Sequence, residues 1–558
     1  MRRIVLLSGH LCTGKSELAR SLEVEFGYHI VKSSEILKGI ASSRGVQQDR
    51  MALQKLGDDM DQETEGRWLH EHVLDLCKGL GLDAQVVLDN VRTKEQLEHF
   101  RTSSDFEAAH VHLYVADVSE TERRWNARVS SGKGGEAAYP DADLLKDVED
   151  INYFKGDADV RIETGRSDNQ DTLVRVAARL GLYSPPDLRC VDVIVGGQYG
   201  SEGKGNIAAY LANEYDVLVR VGGPNAGHTV VSRSGEYVYH QLPSGSRDCN
   251  ARILLGPGMT LNVEQLLSEI QDCGISEDRL FIDPQAMIIE EADREAEKEI
   301  VNGIGSTGQG GGAAAARRIT DRIEGKVRLA RDVPELARYV GVEPSYRGST
   351  TQRLEEAYRA GHSILLEGTQ GSGLSLYHGE YPYVTSRDTN VAGCLAEAGI
   401  SPARVRRILV VIRVTPIRVG NPNAEHISGH IKHETDFQTV AAEAKLPPEE
   451  LEKYEITSTT KRNRRVGWFS WEQFRKTCAL NAPTDIVLTF ADYIVGTNRD
   501  ARRFDQLSTD TLRFVEELER IAHAPVSLIS TRFPREENAR LDLRNIIDRR
   551  DWFGRSKH

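Results

Sequence analysis

Residues 193–230, VIVGGQYGSEGKGNIAAYLANEYDVLVRVGGPNAGHTV, decide how this chain is read. A short apolar strand (Val191, Val193, Ile194, Val195) enters a turn rich in glycine, Gly196, Gly197, Gly200, Gly203 and Gly205, with Lys204 between the last two. Glycine lets backbone N–H groups approach an anion closely, and a helix beginning near Asn206 would aim its positive end at that anion. A second apolar strand, Val217 to Val221, runs into a second polar glycine turn, Gly222-Gly223-Pro224-Asn225-Ala226-Gly227-His228-Thr229. Two loops suited to phosphate therefore follow consecutive strands, the pattern of an α/β fold.

Outward from there toward the N-terminus, Ile4 to Leu7 is a strand followed by Gly9-His10-Leu11-Cys12-Thr13-Gly14-Lys15-Ser16, a complete G-x-x-x-x-G-K-S phosphate loop opening onto a helix. In such a loop Gly9 and Gly14 shape the turn, Lys15 reaches the outer phosphates and Ser16 ligates a magnesium ion. The apolar strand Val86-Val87-Leu88 ends in Asp89, suited to organising that ion, and Asp89-Asn90-Val91-Arg92 resembles the substrate-side turn of nucleoside monophosphate kinases. A third strand, Val111 to Val115, precedes a helix on which Arg124 and Arg128 lie a turn apart and can close over a transferred phosphate; a solvated charged helix is the alternative. The βα alternation and the order of motifs resemble a small (deoxy)nucleoside monophosphate kinase with a parallel sheet over residues 1–183, its acceptor left open.

Ser184-Pro185-Pro186-Asp187 breaks the pattern and marks a linker over 184–189, after which 190–558 reads as one second unit. A chain of 558 residues exceeds one ordinary core. Its 39% hydrophobic and 28% charged residues are those of an ordinary soluble protein. A net charge of −13 argues against general affinity for nucleic acid or an anionic membrane. The opening MRRIVLLSGHLCTGKS starts like a signal peptide, yet its short apolar run leads into a phosphate loop rather than a cleavage site, and no run is long enough to span a bilayer. Seven cysteines without paired spacing fit neither a disulfide framework nor a zinc site, so a cytoplasmic location is expected.

A set of ordered motifs carries a resemblance over residues 190–535. Gly200-Ser201-Glu202-Gly203-Lys204-Gly205 and Asn225-Ala226-Gly227-His228-Thr229 are followed by His240 to Gly245, Ser306-Thr307-Gly308, Leu366-Glu367-Gly368-Thr369-Gln370-Gly371, His378 to Ser386, Thr459-Thr460-Lys461-Arg462-Asn463-Arg464-Arg465 and Leu528-Ile529-Ser530-Thr531. In this order they resemble the adenylosuccinate synthetase family. The resemblance implies an α/β domain and a two-step reaction. A purine 6-oxo group, made nucleophilic by loss of its N1 proton, takes a phosphoryl group from a nucleoside triphosphate; the amine of L-aspartate then displaces phosphate at C6.

The same resemblance assigns residues. For the triphosphate it implies Gly200, Glu202, Gly203, Lys204, Gly205, Asn206, Gly227, His228, Thr229, Arg464, Asp492 and Ser530. For the purine monophosphate it implies Ser201, Asn225, Ala226, Thr307, Gln370, Thr385 and Arg462, with Arg318 reaching the phosphate in a neighbouring subunit of a homodimer that shares its sites. For aspartate it implies Thr459, Thr460, Arg462 and Arg464, whose forked donors suit a dicarboxylate. Magnesium is implied at Ser201 and the Gly227 carbonyl, with Lys204 neutralising charge and His228 donating to the transferring group. The Gly303–Ala316 segment, GIGSTGQGGGAAAA, has the composition of a flexible linker and becomes, by resemblance, a mobile active-site loop.

Two places depart from the family. Where its first loop carries an aspartate that accepts the N1 proton and helps hold magnesium, this chain has Ser201. A serine hydroxyl is no such base unaided, but it leaves room for a purine 2-amino group and can accept a hydrogen bond from it. Gln198-Tyr199-Gly200-Ser201 resembles the 2-aminoadenylosuccinate synthetases of phages, which join dGMP to aspartate. dGMP is therefore favoured over IMP, the substrate phosphate or a bound water taking the proton. Members that use GTP read guanine through a lysine and an aspartate in T-K-x-D; here Thr489-Phe490-Ala491-Asp492 lacks the lysine, and Arg532 follows Ser530-Thr531 in place of glycine. ATP is favoured over GTP. The expectation is a bifunctional enzyme: a nucleotide kinase fused to a ligase that forms 2-amino-2′-deoxyadenylosuccinate through Ser201, Lys204 and His228, with no nucleic-acid or membrane partner. An IMP-dependent synthetase and a nucleotide sensor that binds without turnover are the alternatives.

Overall fold

In the computed structural model, which describes residues 2–81, 84–131, 148–341, 348–456, 463–534 and 545–554, the strand that opens the stretch quoted above, Val191–Gly196, stands at the centre of a nine-stranded sheet. Its neighbours run outward on one side as Ile364–Glu367, Val217–Arg220, Arg252–Leu255 and Leu280–Ile282, and on the other as Val405–Arg413, Asp485–Thr489, Val526–Ser530 and Ile546–Asp548. Only Ile546–Asp548 runs antiparallel. Val191, Val193 and Val195 point into one core and Ile194 into another, so both faces of the central strand are covered. That is why it reads as a nearly unbroken apolar run. The one acid in it, Asp192, is satisfied by Arg406 and the Tyr215 hydroxyl.

Parallel strands need long crossovers, so the turns that follow their C-terminal ends gather along one edge. Two sequence expectations change in detail there. The helix after the first loop begins at Lys204, two residues before Asn206, because Gly203 caps it in the left-handed conformation (φ 87°). The Gly303–Ala316 segment is not a loop throughout: Lys298–Ile304 and Gly311–Thr320 are helices, leaving Gly305–Gly310 between them. Its alanines favour helix. The buried Glu297 carboxylate also accepts N–H bonds from Gly310, Gly312 and Ala313 at 2.8, 2.7 and 3.2 Å, satisfying the orphan donors at the helix start. Outside the main sheet, a hairpin of His228–Ser232 and Gly235–Tyr239 carries His228. A small antiparallel sheet, Ile417–Val419, Arg464–Gly467 and Glu434–Thr435 in that order, carries Arg464.

These elements belong to the unit Ser184–His558; Met1–Tyr183 forms the other. The latter has its own parallel sheet, ordered His29–Val31, Val86–Leu88, Arg2–Ser8, Phe106–Tyr114, Val160–Glu163. Arg2–Ser8 sits where the strand order reverses, and the phosphate loop follows it into that crevice. The third predicted strand starts at Phe106 rather than Val111, since His110 and His112 are accommodated inside the sheet by the Ser8 hydroxyl at 2.7 and 2.8 Å. Among the described residues no helix is long and apolar enough to cross a membrane.

Candidate active site

Loops at the strand ends of the larger unit enclose a cavity of about 480 Å³. Gly200, Ser201, Gly203, Lys204 and Gly205 line it from the first glycine loop, and Asn225, Ala226, Gly227, His228 and Thr229 from the second. Thr307, Gln370, Thr385, Arg464 and Asp492 join them from later in the chain. Glu202, Asn206, Arg318 and Ser530 stand elsewhere. Asn206 staples its helix to the hairpin through the Thr229 carbonyl (3.3 Å) and the Val231 N–H (3.4 Å). Arg318 donates to the Pro257 carbonyl at 2.9 Å, and Ser530 donates to the Arg532 carbonyl while accepting from Asn545. Thr459, Thr460 and Arg462 lie outside the described residues.

The first loop is organised around a carboxylate of its own. Glu202 Oε1 accepts the N–H groups of Gln198 (3.0 Å) and Gly200 (2.9 Å), and its Oε2 lies 2.6 Å from Lys204 Nζ, both side chains buried. Close approach explains two glycines. A Cβ on Gly371 would stand 2.3 Å from Glu202 Oε1, and one on Gly196 would stand 2.7 Å from Oε2. Ser201 precedes this acid with φ 55°, a left-handed conformation that a residue with a Cβ seldom adopts. Its side chain is exposed, with Oγ 3.5 Å from Arg464 Nη2.

Two arginines with no solvent exposure, Arg220 and Arg413, close apolar strands behind the cavity wall. A charge ending a buried run must find a partner. Arg220 Nη1 lies 2.8 Å from Glu367 Oε1, and the same oxygen takes His228 Nδ1 at 2.6 Å and the Ser244 hydroxyl at 2.7 Å. Burial, and then the charge on Arg220, pushes His228 down to about 4. The ring is therefore neutral, donating Nδ1–H to Glu367 and leaving Nε2 for a ligand. Burial alone would raise Glu367, but Arg220 and His228 outweigh it and hold the carboxyl near 2.

Arg413 repeats the device. Its Nη2 lies 2.6 Å from Glu455 Oε1, which also accepts the Tyr493 hydroxyl at 2.8 Å, while Glu455 Oε2 takes Arg464 Nη1 at 2.8 Å. Burial would raise Glu455 too; the two guanidinium groups bring it down to about 2. His228 and Arg464, both named by motif, are thus each held by a carboxylate seated on a buried arginine. Sequence reasoning gives Glu367 no role and passes over Arg220, Arg413 and Glu455. The available signal was a single arginine closing the runs Val217-Leu218-Val219-Arg220 and Leu409-Val410-Val411-Ile412-Arg413.

Two further corners of the cavity are polar. Asn225 Oδ1 and Thr307 Oγ1 are buried without hydrogen-bond partners, atoms that suit a ligand. Near Asp492, the rings of Phe490 and Phe533 are stacked with centroids 6.0 Å apart. Asp492 Oδ2 accepts Arg499 Nε at 3.0 Å, and Arg499 Nη1 donates to Glu450 at 2.9 Å.

In the smaller unit a cavity of about 290 Å³ is lined by Thr13, Gly14, Leu18, Arg124 and Thr164 with the start of the Asn169–Arg179 helix. Lys15 Nζ donates to the carbonyls of Gly9 and His10, both at 2.7 Å. Ser16 Oγ donates to Asp89 Oδ2 at 2.9 Å, so the two groups read as sharing a magnesium ion meet. Arg124 reaches the Thr164 and Cys12 carbonyls at 2.6 and 3.3 Å, and Arg128 faces the Cys12 thiol. Arg92 is engaged by Asp58 at 3.2 Å.

Comparison with known proteins gives this site a context. The family model for adenylosuccinate synthetase matches residues 193–337 and 320–499. The adenylosuccinate synthetase of Pyrococcus horikoshii is 36% identical over 373 residues, spanning 64% of this chain and 98% of that protein. That of Methanocaldococcus jannaschii is 34% identical over 364 residues, spanning 64% and 97%. Among solved structures, the succinoaminodeoxyadenylate synthetase of cyanophage S-2L, bound to dGMP and to dATP as an energy donor, aligns with a TM-score of 0.52 at 29% identity over 66% of this chain and 98% of that one. The fully ligated adenylosuccinate synthetase of Plasmodium falciparum shares the fold, with a TM-score of 0.54 at 22% identity over 64% and 99%.

Proposed function

This chain belongs to the adenylosuccinate synthetase family, and we propose that its Ser184–His558 unit joins L-aspartate to dGMP, giving 2-amino-2′-deoxyadenylosuccinate with ATP as phosphoryl donor. At the coarser level it is a C–N ligase that joins aspartate to a purine nucleotide. The choice of dGMP rests on Ser201. An exposed hydroxyl stands at the cavity where the family carries an aspartate, and it leaves space that a carboxylate would deny to a 2-amino group. The cyanophage synthetase, similar in fold at 29% identity, is a protein bound to dGMP, which supports the same choice.

In this reading Lys204, which lines the cavity while paired with Glu202, meets the phosphate charge with its other N–H groups, and the Gln198 and Gly200 amides stay committed to Glu202. Asn225 and Thr307 bring their unpartnered oxygens to the purine monophosphate, and Arg464 turns its remaining N–H groups to the aspartate carboxylates. His228 Nε2 becomes a donor only when the ring takes a second proton, which Glu367 and an arriving phosphoryl charge both favour. The Ser201 hydroxyl and the Gly227 carbonyl line the same cavity, hard oxygen donors that fit a magnesium ion taking its other ligands from phosphate. Once bound, that ion neutralises charge on the transferring group.

The Met1–Tyr183 unit, in the same reading, phosphorylates a (deoxy)nucleotide, and the Ser16–Asp89 contact and Arg124 beside its cavity support this. Such a kinase would act after a separate lyase has removed fumarate. A homodimer with shared sites draws less support, because Arg318, the residue assigned to it, is bonded within its own chain.

The archaeal relatives at 34–36% identity are adenylosuccinate synthetases, which favours IMP as the second reading. Aspartate-dependent phosphate release with ATP and magnesium, offered dGMP, GMP, IMP or dIMP in parallel and with the product weighed by mass spectrometry, separates the two. Turnover on dGMP at least about tenfold above IMP, and a reversal of that ratio in Ser201→Asp, is expected from the size of one crowded or unpaired amino group. Turnover on IMP alone overturns the dGMP reading.

A further inference from the structure

Arg387 follows the His378–Ser386 motif and has no role in the chemistry above. Glu397 holds its guanidinium in a fork, Nε to Oε1 and Nη2 to Oε2, both at 2.7 Å, the two side chains 12 and 19% exposed. Glu397 Oε2 also accepts the Gly222 N–H at 3.0 Å, at the head of the turn that carries Asn225 and His228. The remaining nitrogen of the guanidinium, Nη1, donates to the Thr369 hydroxyl and lies 3.5 Å from Gln370 Oε1. These parts are closely fitted: a Cβ on Gly222 would stand 2.4 Å from Thr369 Oγ1 and 3.1 Å from Arg387 Nη1.

Which end of a glutamine amide carries the oxygen is decided by its neighbours. The Thr369 hydroxyl is buried, accepts from Arg387 and gives its own proton to Gln370 Oε1 at 2.8 Å. Turned over, the amide would set its N–H against the Arg387 N–H and leave the proton of a buried hydroxyl without that acceptor, a costly exchange. Gln370 lines the cavity, on a backbone in the left-handed conformation at φ 56°. Among the described residues its Nε2 has no hydrogen-bond partner. The free end of Gln370 is therefore the NH2 group, which donates and cannot accept.

We infer that Arg387 is a positioning residue of the ligase: through Thr369 it locks the Gln370 amide with its N–H groups toward the purine monophosphate, so that the site holds an acceptor atom of the base. This rests on the ligase reading and deepens it. Arg387 touches no substrate in this account; it acts on the base through two side chains of its own chain. An amide without that lock turns either end to the ligand and gives up orientation that the folded protein otherwise supplies in advance. The same guanidinium, through Glu397, joins the Gln370 turn to the start of the loop that carries His228, so one buried pair sets the spacing of two walls of the cavity.

A double-substitution cycle tests this. Aspartate-dependent phosphate release by the full chain, with whichever of dGMP or IMP it turns over, gives kcat/KM for the purine monophosphate. Arg387→Met should lose about tenfold, the worth of one oriented hydrogen bond. In a Gln370→Ala background, where no amide remains to be held, the same substitution should lose less than about twofold. An equal loss in both backgrounds overturns the inference, because Arg387 then acts through the Gly222 loop or the fold and not through Gln370. Thr369→Val should match Arg387→Met, and Thr369→Ser, which keeps the hydroxyl, should recover most of that loss. Valine and serine variants alike in kcat/KM overturn it as well. The Thr369 pair decides the matter even if Arg387→Met, with Glu397 left unpaired, does not fold. No aspartate-dependent turnover of any purine monophosphate by the unaltered chain defeats the ligase reading and this inference with it, whereas turnover with an additive cycle defeats this inference alone.

Discussion

Lys15 of the smaller unit turns back onto the carbonyls of Gly9 and His10, while Lys204 of the larger unit is fixed on the carboxylate of Glu202. The two loops look alike in sequence, a glycine-rich turn between strand and helix with a lysine at the helix start. In the first, the lysine donates to two backbone carbonyls of its own loop. In the second, an anion is built in, and the amides of Gln198 and Gly200 are already bonded to it. Glycine serves different ends in the two: in the larger unit Gly196 and Gly371 make room for a side chain of the protein itself. A shared spelling therefore conceals a lysine that donates to backbone carbonyls in one loop and a lysine paired with a built-in carboxylate in the other.

Separating the two lysines breaks this comparison most directly. Lys204→Ala should lower aspartate-dependent phosphate release by about a thousandfold, roughly 4 kcal/mol of transition-state stabilisation, and leave aspartate-independent phosphoryl transfer to a nucleotide untouched. Lys15→Ala should do the reverse. If either substitution stops both activities, the loops do not serve separate reactions. A smaller effect, about a hundredfold in kcat with little change in the KM for aspartate, is expected for Glu367→Gln, which keeps the shape beneath His228 but removes the charge that favours its second proton. A loss confined to KM would assign Glu367 to binding instead.

The fold was legible wherever burial forces a local pattern. Val191–Gly196 and Arg2–Ser8 read as parallel strands because sheets covered on both faces leave no alternation. The loops after them read as phosphate sites because glycine and lysine stand together at fixed spacing. Motif residues as far apart as Ser201 and Asp492 do line one cavity. The layer behind them was not legible, because its partners are joined by topology alone: Glu367 lies 139 residues from His228, and Glu455 lies 42 from Arg413. Glu202 was read as facing the nucleotide because a loop acid next to a lysine suggests it, whereas the geometry turns it inward. Composition misled at Gly303–Ala316, where a buried glutamate caps what glycine content alone would leave as a linker.

The units also differ in how they bury histidine, and pH sharpens that difference. In the smaller unit burial pushes His110 and His112 down from 6.5 to about 4 and about 3, both rings resting on the Ser8 hydroxyl. His110 lies between Arg101 on one hand and Asp157 and Asp159 on the other, while His112 faces Lys15, His10 and Lys155. In the larger unit His228 is also lowered, but the Glu367 carboxylate stands against its Nδ1, ready to support a proton. A folded pKa below the unfolded one means that the unfolded chain binds more protons between the two values, so stability falls as pH drops through that window. Between pH 7 and pH 5 each such histidine should withdraw about 2 kcal/mol. Two of them lie in the smaller sheet and one beside the larger, and burial also lowers His70 of the smaller unit and His240 of the larger, so acid should open the smaller unit first. Hydrogen exchange at the two pH values, corrected for intrinsic rates and followed in peptides from Phe106–Tyr114 and Val191–Gly196, reads the units separately. A steeper loss of protection in the first peptide is the expected outcome. Equal losses would mean that the Ser8 cluster tolerates a proton as well as His228 beside Glu367 does, and that a hydroxyl shared by two rings compensates charge as effectively as a carboxylate.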